Sequence, residues 1–162
     1  MFKKVFVFAI CFATMGWAAT KPDFSGNYGV QGKKNNRAIA ASLHVVQTES
    51  AVEVTRTYGG KPVTNRFPLD GSEGGYTTEM GVHGKCRARL NKDTLLLESL
   101  VASPPNANAP SVRFDTVEEW RLSADTQTLT IKTEIKSPDI SSDVMAAAFP
   151  KNPQTDKYQR LK

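Results

Sequence analysis

Glu118 stands in surroundings that ask for an explanation. From Ser111 to Leu122 the side chains alternate in character. The even positions, Val112, Phe114, Thr116, Glu118, Trp120 and Leu122, are mostly apolar; the odd ones, Ser111, Arg113, Asp115, Val117, Glu119 and Arg121, are mostly polar or charged. On a β-strand successive side chains point to opposite faces, so Glu118 falls on the apolar face beside Trp120. A carboxylate among aromatics is costly unless a cation or a wet cavity meets it. Arg56 is a candidate partner, because it continues the face of Val52 and Val54 toward Tyr58. Two readings follow. In one, Glu118 is a polar anchor inside a ligand pocket next to Trp120. In the other, it sits at the rim of the fold, or a bulge shifts the register and exposes it.

Other reactive side chains are sparse. His44 lies on the face opposite Leu43 and Val45, toward solvent, and His83 sits in the glycine-flanked stretch Gly81-Val82-His83-Gly84. No G-x-S-x-G elbow holds a serine exposed as a nucleophile. His83 and Cys86 are three apart, an odd spacing that sends them to opposite faces of a strand, and a zinc site would need three or four ligands. These patterns point to no catalytic residue, no metal and no cofactor, hence to a protein that is not an enzyme. Lys85, Arg87 and Arg89 form a short basic stripe that reads as a solvated face.

The elements that must position these residues are strands. Leu129, Ile131, Thr133 and Ile135 share one face of a second alternating segment, joined to the first through the polar turn Ser123 to Gln127. Tyr58-Gly59-Gly60-Lys61 signals a tight hairpin, since paired glycines reach positive φ without strain. Further turns fall at Asp70-Gly71-Ser72, at Gly81 to Gly84 and at Asn91-Lys92-Asp93. Lys85 to Leu90 places Cys86, Ala88 and Leu90 inward, and Leu95 to Val101 is leucine-rich enough to be covered on both faces. The segment 141–149 reads as a strand, by analogy with its neighbours, and Asp156 to Leu161 reads as the closing strand. Residues 103–110 form a proline-bracketed loop, long for a hairpin. Eight to ten short strands with short connections imply an antiparallel up-and-down meander. Closing it into a barrel removes exposed edges, and a barrel of this size holds packed side chains or one small ligand. The opening stretch Asp23-Phe24-Ser25-Gly26-Asn27-Tyr28-Gly29-Val30 fits such a barrel. Phe24, Gly26, Tyr28 and Val30 share a face, where the aromatics can plug one end and Gly26 admits a close neighbour.

That opening resembles exported bacterial proteins that begin D-F-S-G-x-W, and the G-x-W signature of the lipocalin and wider calycin barrels, with Tyr28 standing where tryptophan is usual. A second likeness is Glu119-Trp120-Arg121-Leu122-Ser123-Ala124-Asp125 followed by Leu129-Thr130-Ile131, similar to the W-x-L-S-x-D-G-K-T-L-T hairpin of those exported proteins. The resemblance implies an all-β, lipocalin-like (calycin) barrel, and calycins at large carry small hydrophobic molecules.

The chain has 162 residues and a net charge of +5. Lys3 and Lys4, then an uncharged run from Val5 to Trp17 and small residues at Ala18 and Ala19, have the layout of a secretory signal peptide over residues 1–19. The remainder, 20–162, is expected to be a single exported domain, periplasmic or extracellular, with no stable membrane insertion. Its charge would be +3, since Lys3 and Lys4 are the only charges removed. A balance this mild, with no long basic run, argues against a nucleic-acid partner. Cys86 is then the one cysteine left, so no disulfide forms within the chain. The expected function is binding of a small apolar or amphipathic molecule inside the barrel, with Tyr28, Arg56, Glu118 and Trp120 lining it and Cys86 nearby. The alternative is an interaction or structural module with a filled barrel, acting through its surface and the 103–110 loop on a protein partner the sequence does not identify.

Overall fold

The structure is a computed structural model that describes residues 21–32, 39–103, 111–148 and 152–162. The expected signal peptide and most of the 103–110 loop lie outside the described residues. Ten strands follow one another: β1 (Gly26–Val30), β2 (Ser42–Gln47), β3 (Ala51–Tyr58), β4 (Lys61–Pro68), β5 (Gly74–Thr77), β6 (His83–Asn91), β7 (Thr94–Ala102), β8 (Arg113–Leu122), β9 (Thr128–Lys136) and β10 (Gln154–Arg160). They form one antiparallel sheet in the order β4-β3-β2-β1-β10-β9-β8-β7-β6-β5. Apart from β1 with β10, every pairing joins strands consecutive in sequence, so the sheet is a meander. It curls into a nearly closed barrel, in keeping with the expected fold.

Closure has two parts. The first and last strands pair directly, Tyr28 opposite Arg160 and Val30 opposite Tyr158. The remaining edges, β4 and β5, meet without a backbone ladder. Asn65 bridges them instead: its Nδ2 donates to the Thr77 carbonyl at 2.9 Å, and its Oδ1 accepts from the Thr77 N–H at 2.7 Å. One buried amide thus substitutes for the missing ladder rung.

Turn chemistry explains the hairpins. Gly59 and Gly60 both hold positive φ, 54° and 84°, as a two-residue turn between β3 and β4 requires. The Ser123 to Gln127 turn is tied by the Asp125 carboxylate, which accepts from the Ser123 hydroxyl and the Gln127 N–H.

The two ends of the barrel differ. At one end the turns are short and Phe24, Phe67, Leu95, Trp120 and Leu129 are fully buried. Each such side chain contributes on the order of 1.5–3 kcal/mol by leaving water. At the other end lie the longer connections, including a helix. Alternation at the start of β9 matches the sequence pattern, with Leu129 and Ile131 buried, whereas in β8 Phe114 to Glu119 are all half-buried and only Trp120 is fully buried.

Three expectations are corrected. The segment 141–149 is not a strand: Ser142–Ala148 forms the helix α1. The alanine run 146–148 favours helix intrinsically, Asp143 sits in the first turn where a negative charge suits the helix dipole, and the Met145 N–H bonds the Ser141 carbonyl. The leucine-rich strand β7 is not covered on both faces, since outward Leu96 and Leu100 are only half-buried. His83 is not in a turn but opens β6, exposed.

Candidate functional site

β3 and β8 lie on opposite arcs of the barrel, separated by several strands in either direction. Their inward faces nevertheless meet across the interior. Arg56 on β3 donates from Nη2 to Glu118 Oε2 on β8 at 2.6 Å. Trp120 Nε1 donates to the same oxygen at 2.8 Å. The Arg56 guanidinium also stands 5.9 Å from the centre of the Trp120 ring, within range of a cation–π contact. Both charged side chains are largely out of solvent, 7 % exposed for Arg56 and 17 % for Glu118. The carboxylate that looks misplaced in the sequence is therefore a paired one.

Tyrosines surround the pair. Tyr58 follows Arg56 by two residues on the same face, Tyr76 comes from β5, and Tyr158 from β10. Burial pushes Tyr58 up to about 12 despite the nearby Arg56 charge, which pulls the other way. Tyr76 and Tyr158 are raised for the same first reason, and Asp156 adds to the effect on Tyr158. All three phenols stay protonated at any physiological pH and can donate as well as accept. Burial opposes the Arg56 charge, but the Glu118 carboxylate, helped by the tyrosines, outweighs it and holds the guanidinium above its ordinary value.

Among the described residues, every side-chain nitrogen or oxygen sealed from solvent has a hydrogen-bond partner. Arg56 uses Nη2 toward Glu118, so its Nη1 and Nε border accessible space rather than packed protein. The Tyr158 hydroxyl does the same, although that residue is only 4 % exposed. These polar atoms are thus not sealed from solvent, and Trp120 and the apolar core lie beside them on the side of the short turns.

The five sequence-derived candidates separate into two groups. Arg56, Glu118 and Trp120 come together. Tyr28 and Cys86 are engaged elsewhere. The Tyr28 hydroxyl donates to the Phe24 carbonyl at 2.9 Å and accepts from Arg160 Nη2 at 2.8 Å, locking the floor of the barrel. The Cys86 thiol points at the β4 and β5 edges, toward the carbonyls of Arg66 at 3.3 Å and Gly75 at 3.4 Å. Burial raises it to about 11, although Arg56 pulls the other way. Sequence reading missed Tyr76, Tyr158 and Asn65. Tyr58 was detectable, two residues beyond Arg56 on its face. Tyr76 and Tyr158 approach only through closure of the barrel, which no local pattern reports.

Both histidines lie on the outer surface. His44 Nδ1 bonds Asn27 Oδ1 at 2.7 Å and His83 Nδ1 bonds Thr77 Oγ1 at 3.2 Å. Among the described residues, no cluster of three or more His, Cys, Asp or Glu side chains could hold a metal ion, and no helix is long and apolar enough to cross a membrane. Among the described residues, two open clefts stand out beside the barrel. One, of about 650 Å³, runs beneath α1 on the rim, between Ile135, Lys136, Pro138, Met145 and Asn152. The other, of about 1400 Å³, lies outside the closed end, among Asp23, Gln47, Leu69, Leu90 and Lys92.

No protein-family model matches the chain, and no curated protein matches it either. Solved structures do. One is described as "REP1-NXSQ fatty acid transporter": TM-score 0.55 and 10 % sequence identity, covering 85 % of this chain and 96 % of that one. A tyrosine-to-phenylalanine mutant of the same transporter gives TM-score 0.54 and 9 % identity, covering 85 % and 97 %. At such identity the likeness establishes a shared barrel fold.

Proposed function

We propose that the protein is an exported carrier that holds one small apolar or amphipathic molecule inside its barrel. The observation that carries this reading is the polar cluster of Arg56, Glu118 and Trp120, set inside the barrel beside an apolar core and not sealed from solvent. Most small-ligand sites combine an apolar wall with a few placed polar groups, and this interior has both. The apolar part of the ligand lies against Trp120 and its neighbours, and the polar part reaches Arg56, Glu118 and the tyrosine hydroxyls. The likeness to fatty acid transporter barrels supports the same reading. Export rests on the leader-like residues 1–19.

With those residues removed, Trp120 is the sole tryptophan, so its fluorescence reports on the interior alone. Titration with long-chain alkyl compounds bearing a bromine quencher should quench it saturably, with one molecule per barrel. Quenching that rises without saturation, or that is equal for short polar bromides, would contradict carriage in the interior.

A further inference from the structure

We propose that the interior selects amphiphiles whose polar end is uncharged and offers both a hydrogen-bond donor and an acceptor, such as an amide or hydroxyl, and disfavours free carboxylates. The inference rests on the carrier reading above and names the ligand class for the same site.

Arg56 is the only buried basic side chain among the described residues, and its charge is already matched by Glu118 at 2.6 Å. A ligand carboxylate seeking Arg56 would have to settle beside the Glu118 carboxylate. Like charges a few ångströms apart in a partly dry interior repel strongly, because little water screens them. Glu118 cannot swing away without cost, since Arg56 and Trp120 both donate to its Oε2. The opposite holds for a neutral head. Arg56 keeps Nη1 and Nε as donors, and Glu118 keeps Oε1 as an acceptor next to them. An amide places a carbonyl toward the first and an N–H toward the second; a hydroxyl does both with one atom. The Tyr58 and Tyr158 hydroxyls add partners that either donate or accept.

Dodecanamide and dodecanoate have the same chain and nearly the same head shape, and differ in charge. Calorimetric titration of the unaltered protein at pH 8 should show dodecanamide binding at least tenfold more tightly. In Glu118→Gln the Arg56 charge loses its partner, so the ratio of dodecanamide to dodecanoate affinity should fall at least tenfold. Dodecanoate binding as tightly as the amide, or tighter, in the unaltered protein overturns this inference and leaves the carrier reading standing. An unchanged preference in folded Glu118→Gln overturns it too. Binding of neither compound overturns the carrier reading itself, and this one with it. The first comparison needs no variant, so a Glu118→Gln protein that fails to fold leaves it decisive.

Discussion

A carboxylate and a guanidinium facing each other inside a barrel are worth more together than apart. Removing one partner of a buried pair strands the other and costs about 3–5 kcal/mol, whereas replacing both with apolar groups of similar size is often neutral. Glu118→Ala should therefore lower stability by about 3 kcal/mol in urea denaturation. Arg56→Met combined with Glu118→Leu should recover most of that loss yet fail to bind ligand. Equal stability for Glu118→Ala and the unaltered protein would mean the pair is solvated. Cys86 gives a pH test. Its thiol is held up to about 11 in the folded state, so its neutral form is favoured there. That contribution is fully present below the unfolded value near 9 and is lost as pH rises through about 11. Urea midpoints should fall from pH 9 to 11, and fall less in Cys86→Ala, while the buried tyrosines extend the loss to higher pH. An equally steep fall in Cys86→Ala would acquit the thiol. Glu118 and its partner were both legible in the sequence, because finding them needs only the period of two. The final positions of Tyr28 and Cys86 were not, because Tyr28 bonds the Phe24 carbonyl and the Arg160 side chain, and Cys86 points at carbonyls of β4 and β5.

At the scale of elements, the weakest line in the sheet is the meeting of β4 and β5. Asn65 satisfies both backbone groups of Thr77 there, and a buried backbone group left without a partner costs about 1–3 kcal/mol. Asn65→Ala should destabilise by about 2–4 kcal/mol, and amide exchange at Thr77 should accelerate more than at strands away from this edge. Uniform acceleration across all strands would show that the seam opens only with global unfolding. Gly84 marks a second tight point, where β6 passes β7: an added Cβ would lie 2.2 Å from the Leu100 carbonyl oxygen. Elements were read unevenly. Hairpins were clear wherever alternation ran into glycine or Asp-Gly turns, as at Tyr58 to Lys61. The helix α1 was misread because it is one short element whose sole buried residue is Met145, too few positions to display a 3.6-residue period. The Asn65 bridge has no sequence signature, since an asparagine in an alternating strand looks the same whether it caps an edge or faces water.

For the whole molecule, the meander dictates where function can sit. Short turns and large aromatics close one end, and the proposed ligand enters from the other. The order of strands was legible from connection lengths, and the closure from those short connections and the exposed edges that an open sheet of this size would leave. The pairing of β1 with β10 was not, since it joins the two ends of the domain. What remains to be tested is whether the interior carries a molecule. Native mass spectrometry of the protein, purified gently from its own producing cells, tests it most directly. A carrier should show a bound mass of a few hundred daltons at one per chain, released on denaturation and absent from the stable Arg56→Met, Glu118→Leu double variant. A clean unliganded mass for the unaltered protein, across preparations that keep it folded, would rule out carriage and leave Arg56 and Glu118 as a structural pair in a filled barrel.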